Sequence, residues 1–169
     1  TQETVPYSAI FRPSDREQFL HVPDGRIDPL ETPSVTATLT DLGVSVSTGP
    51  VVDFRMREDL RQDPGAGDVP LIYPHHLLGS ELAWPAAGNK KPNAIADNER
   101  TARWLFPAGT NVLTHRSSAK EEKRRVVAYL LPSNALPSTR VGFENHINVF
   151  HAEKHGLPDT LAWGLYAWL

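Results

Sequence analysis

The sequence predicts an α+β fold, a curved and mostly antiparallel β-sheet covered by one or two helices. Short β-branched runs recur between turn signals along the chain. Fifteen prolines among 169 residues divide the sequence into short elements and argue against a helical bundle. A clear 3.6-residue apolar repeat occurs only near the carboxyl end. Hydrophobic residues make up 40% of the chain, which is ordinary for a globular domain with one core.

The first elements are expected to be short. Residues 7–22 are typical of two strands around a turn at residues 13–15. Thr32 followed by proline is typical of a helix N-cap and first turn. We therefore expect a helix that continues to about Leu42 and ends at Gly43, although its many threonines disfavour the helical state.

Residues 44–55 contain two valine-rich runs separated by Ser-Thr-Gly-Pro at residues 47–50. Gly49 would let the backbone approach a ligand closely, because it has no side chain. Ser47 and Thr48 offer hydroxyl and amide groups that can bind an anion. A plain β-turn explains the same residues. Both interpretations remain open at this point.

Two more segments carry candidate ligand-binding side chains. Residues 69–78 form an apolar run that predicts a strand, with His75 and His76 at its far end. A later stretch rich in glycine, proline and asparagine predicts a loop that carries Lys90 and Lys91. We interpret these side chains as candidates for contact with an anionic partner.

Residues 111–129 are the most informative stretch and predict a β-hairpin. A β-branched run at residues 112–114 and an apolar run at residues 126–131 flank a hydrophilic turn. The turn carries five positive charges against Glu121 and Glu122, in a chain whose net charge is −3. Lysine and arginine side chains at such a tip can neutralise the phosphates of a nucleic acid. A solvated turn that keeps a sheet edge soluble is the alternative. The positive residues are Arg116, Lys120, Lys123, Arg124 and Arg125.

Residues 143–151 alternate between apolar and polar side chains, which predicts a half-buried strand. The buried face is expected to hold Phe143, Ile147 and Val149. The other face presents three hydrogen-bonding side chains, Glu144, His146 and Asn148. Groups of this kind can read the edges of DNA bases, whereas an ordinary solvated strand surface is the alternative interpretation.

A last helix is expected to begin at Pro158 and to cover the sheet. Its apolar stripe consists of Leu161, Leu165, Trp168 and Leu169. Because this stripe continues to the last residue, we expect the chain to be a piece of a longer protein.

Several kinds of chemistry lack a sequence signal. The chain has no cysteine, which excludes disulfides and thiolate metal sites and favours a cytoplasmic location. No apolar run approaches the ~20 residues of a membrane span. His146, His151 and His155 lie close in sequence but lack a metal-binding spacing, so a histidine metal site is a minor alternative. No phosphate-binding loop, dinucleotide-binding loop or serine nucleophile motif occurs, so no catalytic residue is predicted.

The chain resembles a known family in five stretches that occur in the same order. These are VSTGPVVDFR, PLIYPHHL, RWLFPAGTNVLTHRSSAKEEKRRVVA, VGFENHINVFHA and LAWGLYAWL. The set is similar to the C-terminal part of Eco57I-type adenine-specific DNA methyltransferases of bacterial type II restriction-modification systems. The resemblance covers residues 39–169. In that family this part is the target recognition domain, similar in kind to TaqI-like specificity domains.

The resemblance implies a single domain, residues 1–169, with a leading segment at residues 1–30 and a recognition core at residues 31–169. Its partners would be double-stranded DNA and an upstream methyltransferase domain of the same parent chain. That domain would bind S-adenosylmethionine and hold the flipped adenine in an Asn-Pro-Pro-Tyr/Phe motif, which is absent here. The alternative is a protein-interaction module whose basic hairpin and last helix dock a partner subunit or a nuclease half.

The residues expected to contact DNA follow from charge and planarity. Positive side chains would hold phosphates, while planar hydrogen-bonding groups would read base edges. The set comprises Ser47, Thr48, Arg55, His75, His76, Lys90, Lys91, Arg116, Lys120, Lys123, Arg124, Arg125, Glu144, His146 and Asn148.

Overall fold

The computed structural model describes residues 7–10, 37–78, 81–118 and 126–169. The chain divides into two compact units, Thr1–Thr38 and Leu39–Leu169. Within the described part, no helix has the length and apolar character needed to cross a membrane.

The described residues of the N-terminal region differ from the sequence prediction. Tyr7–Ile10 forms a short helix, α1, where a strand was expected, and residues 11–22 lie outside the described residues. Residues 39–43 form turns, so the predicted helix is wrong there, and its expected start also lies outside the described residues. Gly43 does adopt the left-handed conformation, with a φ of 67°.

The second unit contains two main sheets and a two-stranded ladder. The four-stranded sheet has the order β1-β11-β8-β9 and is antiparallel throughout. The five-stranded sheet has the order β2-β6-β3-β10-β7, in which β3 and β10 are parallel and the other pairs are antiparallel. The predicted fold class is confirmed, although the structure has two main sheets where one was predicted. The strands are β1 (Ser45–Thr48), β2 (Leu60–Arg61), β3 (Asp68–Ile72), β4 (Leu77–Leu78), β5 (Glu81–Leu82), β6 (Ala94–Ala96), β7 (Phe106–Pro107), β8 (Asn111–His115), β9 (Ala128–Leu131), β10 (Arg140–Phe143) and β11 (Ile147–His151).

The main core lies between the two sheets. Alternating residues of β8 and β11, Leu113, Ile147 and Val149, pack there with Phe106 and Phe143, whose rings meet edge to face at 5.2 Å. This period-two burial is what fixes the register of the sheet, because a shift by one residue would expose the buried set.

The last helix, α2 (Asp159–Trp168), covers the other face of the four-stranded sheet, as predicted. Ala162 and Leu165 are buried against Val112 and Phe150. The predicted apolar stripe is wrong for one residue, Trp168, which is 71% exposed.

A tight turn joins the two sheets. β10 ends at Phe143 and β11 begins at Ile147, so the strand predicted over residues 143–151 is two strands in different sheets. Glu144 forms an isolated parallel bridge with Val51. The Val51 N–H donates to the Phe143 carbonyl at 3.1 Å, and the Asn145 N–H donates to the Val51 carbonyl at 3.0 Å. The segment after β1 therefore stabilises the turn between the two sheets through these backbone hydrogen bonds.

The predicted hairpin is confirmed in its strands. β8 and β9 pair from Asn111 opposite Leu131 to Thr114 opposite Ala128. Most of its basic turn, residues 119–125, lies outside the described residues.

Candidate nucleic-acid interface

The base of the basic hairpin adjoins the turn that joins the sheets. The register of β8 and β11 sets Thr114 opposite Asn148. The Arg116 N–H donates to the His146 carbonyl at 2.8 Å, which extends this ladder beyond the end of both strands. The exposed Arg116 side chain also donates to the Asn145 carbonyl at 3.4 Å. The hairpin and the polar residues of the turn thus meet at one edge of the molecule.

Within that turn, the buried carboxylate of Glu144 holds the exposed imidazole of His146. Glu144 is only 3% exposed, so the expectation that it lies on a solvated strand face is wrong. Its Oε2 accepts the His146 backbone N–H at 3.0 Å, and its Oε1 lies 2.7 Å from His146 Nδ1. Because a carboxylate can only accept, Nδ1 carries the proton in this arrangement. In the neutral ring, Nε2 is then a hydrogen-bond acceptor on a side chain that is 64% exposed.

Two side chains of the four-stranded sheet continue this polar surface. Thr48 of β1 stands opposite Asn148 of β11, and the Thr48 hydroxyl donates to Asn148 Oδ1 at 3.2 Å. This bond leaves the amide NH₂ of Asn148 as its available donor group. We call the group Thr48, Arg116, His146 and Asn148 the lip surface. It offers one positive charge together with donors and acceptors on planar groups.

Lys91 is not the free cation that the sequence suggested. Its ammonium group lies 2.7 Å from Asp53 Oδ2, and the Tyr73 hydroxyl donates to the other Asp53 oxygen at 2.7 Å. Burial alone would raise the pKa of Asp53, but the hydrogen bonds from Lys91 and Tyr73 outweigh it and hold that pKa below its usual value. The hydrogen bond to Asp53 raises the pKa of Lys91. This pair neutralises much of the charge that Lys91 would offer to a phosphate.

His76 supports the structure instead of facing a ligand. It is fully buried, its Nδ1 accepts the Tyr73 N–H at 3.0 Å, and its Nε2 lies 2.9 Å from Asn93 Oδ1. Because Nδ1 accepts, Nε2 must be the donor to Asn93. Burial lowers the pKa of His76 to about 4, so the ring is neutral. Direct DNA contact by His76 is therefore excluded in this arrangement, which corrects the prediction.

His75 is half-buried beside His76, with 4.0 Å between the ring centroids. Burial, followed by the nearby charge of Lys91, lowers the pKa of His75. Its Nε2 is buried without a hydrogen-bond partner among the described residues. A neutral ring with an enclosed nitrogen is poorly suited to hold a phosphate.

The groups at residues 47–50 that were predicted to bind an anion have partners within the chain. The Ser47 hydroxyl lies 2.7 Å from His151 Nε2, and the Gly49 N–H donates to the Ile147 carbonyl at 2.8 Å. A β-carbon on Gly49 would lie 2.2 Å from the Glu144 carbonyl oxygen and 2.5 Å from the Phe143 carbonyl oxygen. Gly49 therefore permits a close backbone approach, as expected, but the approach is to the chain itself.

The remaining candidates divide into two groups. Lys90 and Arg55 are exposed, and neither forms an ion pair with any residue in the described part of the chain. The other four lie in the hairpin turn, outside the described residues: Lys120, Lys123, Arg124 and Arg125.

The C-terminal histidines have separate structural partners. The Lys154 N–H donates to His151 Nδ1 at 3.0 Å, so His151 Nε2 is the donor to Ser47. His155 Nδ1 lies 3.1 Å from the Glu153 carbonyl oxygen. Over the residues that are described, no three histidine, cysteine or acidic side chains are grouped as a metal site.

Comparison with known proteins relates the whole chain to part of a larger enzyme. The chain is 46% identical over 166 residues to type II methyltransferase M.BsuBI of Bacillus subtilis. The aligned region covers 97% of this chain and 33% of that relative. The chain is similar to one third of a type II methyltransferase. It is also 40% identical over 168 residues to type II methyltransferase M.PstI of Providencia stuartii, covering 98% of this chain and 33% of that protein. No family model matches the chain, and no solved structure matches it significantly.

The chain contains two side-chain arrangements that the sequence analysis did not predict. The pairing of Lys91 with Asp53 joins residues 38 positions apart, so no local pattern could indicate it. The positioning role of Glu144 was hidden by the alternating pattern, which placed Glu144 and His146 on one exposed face. The two side chains do lie together, as the i, i+2 spacing indicated, but they belong to a turn and not to a strand.

Proposed function

We propose that this chain is the target recognition domain of a type II DNA modification methyltransferase that acts on adenine N6. In this proposal it binds duplex DNA and positions it for catalysis elsewhere in the parent protein. The remaining two thirds of the length of the relatives would contain the methyltransferase domain and bind S-adenosylmethionine. The ordered motifs, similar to those of Eco57I-type enzymes with TaqI-like specificity domains, support the same division of labour.

The observation that carries the proposal is the Glu144–His146 pair beside Arg116. A buried carboxylate fixes both the orientation and the tautomer of an exposed imidazole, at hydrogen-bond distances of 2.7 and 3.0 Å. Such preorganisation reduces the conformational freedom that a reading side chain must lose on binding. An ordinary solvated turn would gain nothing from holding one exposed ring in a single state.

The lip surface matches what base readout requires. The acceptor Nε2 of neutral His146 can take a hydrogen bond from the exocyclic amino group of adenine or cytosine. The Asn148 NH₂ group can donate to acceptor atoms on base edges. Arg116 lies beside them and can contact a phosphate or a guanine edge. The proposal assigns DNA readout to His146 and Asn148 and DNA anchoring to Arg116 and the basic hairpin turn.

The test is selection of duplexes from a randomised pool with the 169-residue chain, followed by binding measurements from about 50 to 200 mM salt. We expect enrichment of one short sequence and an affinity that falls steeply with salt. The Arg116→Ala variant should weaken binding to all sequences and reduce the salt slope by about one unit. The matched control is Arg61→Ala, because Arg61 lies on β2, three strands away from β10. No enriched sequence together with no salt dependence would contradict the proposal.

A second candidate, a protein-interaction module, is favoured by one observation. α2 exposes Trp163 to 57% and Trp168 to 71%, and Trp163 packs edge to face with Tyr166 at 5.9 Å. Exposed large aromatic side chains are typical of protein interfaces. In this case, a partner subunit or nuclease half would bind α2 and the hairpin, and binding would persist at high salt. The double variant Trp163→Gln, Trp168→Gln would abolish partner binding and leave DNA affinity unchanged.

A further inference from the structure

A second surface close to the sheet junction has the chemistry of a phosphate-binding groove. An open groove with a volume of about 320 Å³ lies beside the turn that follows Val51. Its lining includes Phe54, Arg55, Arg57, Glu58, Arg100 and Trp104. Enclosed apolar walls are what small-molecule sites usually need, and this groove has mainly charged walls instead.

The groove has an excess of positive charge. Arg100 is occupied, because it lies 2.9 Å from both the Glu58 and the Asp59 carboxylates. Arg55 and Arg57 are exposed and form no ion pair within the described part of the chain. The groove lining carries three arginines against Glu58 and Asp59, a net charge of +1, and Arg55 and Arg57 are its two guanidinium groups without an ion pair among the described residues.

Aromatic rings hold the neighbouring guanidinium groups in place. The Arg55 guanidinium lies 5.5 Å from the centroid of the Phe54 ring, which is 66% exposed. The Arg103 guanidinium lies 4.4 Å from the ring of Trp104. Cation–π contact limits the freedom of each guanidinium while leaving its N–H donors available to oxygen atoms. A phosphate group is an anion whose oxygen atoms match a planar donor set of this kind.

The position of the groove connects it with the lip surface. Arg55 is four residues after Val51, whose backbone bridges to Glu144. A chain of that length spans at most about 14 Å, even when fully extended. Phosphates on one DNA strand are spaced by about 3.4 Å along the helix axis, so the separation between Val51 and Arg55 corresponds to at most about four base pairs.

We propose that this groove binds the sugar–phosphate backbone of duplex DNA outside the sequence that the lip surface reads. This inference rests on the proposed function and extends it to flanking DNA. Arg55 and Arg57 are the phosphate ligands, Phe54 supports the Arg55 guanidinium, and Phe54 and Trp104 pack against the sugar edge. The contact adds affinity without adding base preference.

The experiment compares two duplexes that share the selected sequence. The short duplex contains only that sequence, and the long duplex adds about ten base pairs, one helical turn, on each side. The parent chain is expected to bind the long duplex more tightly. The Arg55→Ala, Arg57→Ala variant should lose about tenfold in affinity for the long duplex, with a salt slope reduced by about two units, and should bind the short duplex like the parent.

The Arg55→Lys, Arg57→Lys variant retains the charges and should keep the salt slope, and Arg140→Ala is the control for removal of a positive charge that does not line the groove. If the double alanine variant binds both duplexes like the parent, the groove does not contact DNA and the proposed function stands. Equal weakening on both duplexes would overturn the assignment to flanking DNA. Failure of the parent to bind either duplex would overturn the proposed function and this inference with it.

Discussion

Replacing Glu144 by glutamine should weaken sequence-specific DNA binding, although it removes a negative charge from the proposed DNA-binding surface. Glutamate offers two acceptors, one for the His146 N–H and one for its Nδ1–H. Glutamine offers one acceptor and one NH₂ donor, so either the backbone N–H or the ring Nδ1–H of His146 would face the NH₂ donor. If the NH₂ group faces the ring, Nδ1 becomes the acceptor and the proton moves to Nε2. The outward atom of His146 then changes from an acceptor to a donor.

The size of the effect follows from one base contact. A mismatched contact to a base edge costs about 1–3 kcal/mol, which corresponds to a loss of about 5- to 150-fold in affinity. We expect a loss near tenfold for the selected sequence and a changed preference at a single base pair. The salt slope should stay the same, because Glu144 contacts no phosphate. The Glu99→Gln variant is the matched control, since it removes the same charge at an exposed position away from His146.

The assay is competition binding against duplexes that differ from the selected sequence by one base pair. Simple electrostatics predicts the opposite sign, because loss of a negative charge should favour a polyanion. Tighter binding by Glu144→Gln with unchanged base preference, equal to the behaviour of Glu99→Gln, would refute the reasoning.

Three further outcomes are expected. The Asn93→Leu variant should lose about 3 kcal/mol of unfolding free energy in urea titrations, because the buried donors of His76 and the Ala86 N–H lose their acceptor; an unchanged urea midpoint would contradict this. The pKa of His76 falls from 6.5 to about 4 on folding, so between those pH values only the unfolded chain takes up this proton. The free energy of unfolding should therefore fall as the pH decreases from 6.5 to 4, by about 3 kcal/mol in total. Equal urea midpoints at neutral pH and at pH 4 would argue against it. Gly49→Ala should cost about 3 kcal/mol through its clash with two carbonyl groups, whereas Gly164→Ala, which has open space around its β-carbon, should be neutral or stabilising by up to about 1 kcal/mol; equal thermal midpoints for the two variants would contradict the packing argument.

Local patterns in the sequence predicted the hairpin and the last helix well. The β8–β9 hairpin was evident because two apolar β-branched runs flank a charged turn, and α2 because its apolar residues recur at the helical period. Both signals depend on residues that are close in sequence. The exposure of Trp168 was missed because helical periodicity indicates a stripe but not how far the supporting sheet extends beneath it.

The candidate site could be predicted only in part, because much of it depends on contacts between distant segments. Alternation over residues 143–151 suggested one strand, whereas the Val51 bridge to Glu144 makes a turn there. The buried state of His76 depends on Asn93, 17 residues away, and could not be read from an apolar run that ends in two histidines. Charge counting identified Lys91 but not the Asp53 carboxylate that holds it.

The most direct test of the account is nuclear magnetic resonance of the isotope-labelled chain during titration with the selected duplex. The side-chain signals of His146 and Arg116 report on the lip surface, and the indole N–H signals of Trp163 and Trp168 report on α2. We expect large shifts at His146 and Arg116, with the His146 Nε2 signal showing a new hydrogen bond and the indole signals unchanged. Shifts confined to the two indole groups, with His146 and Arg116 unaffected, would contradict it.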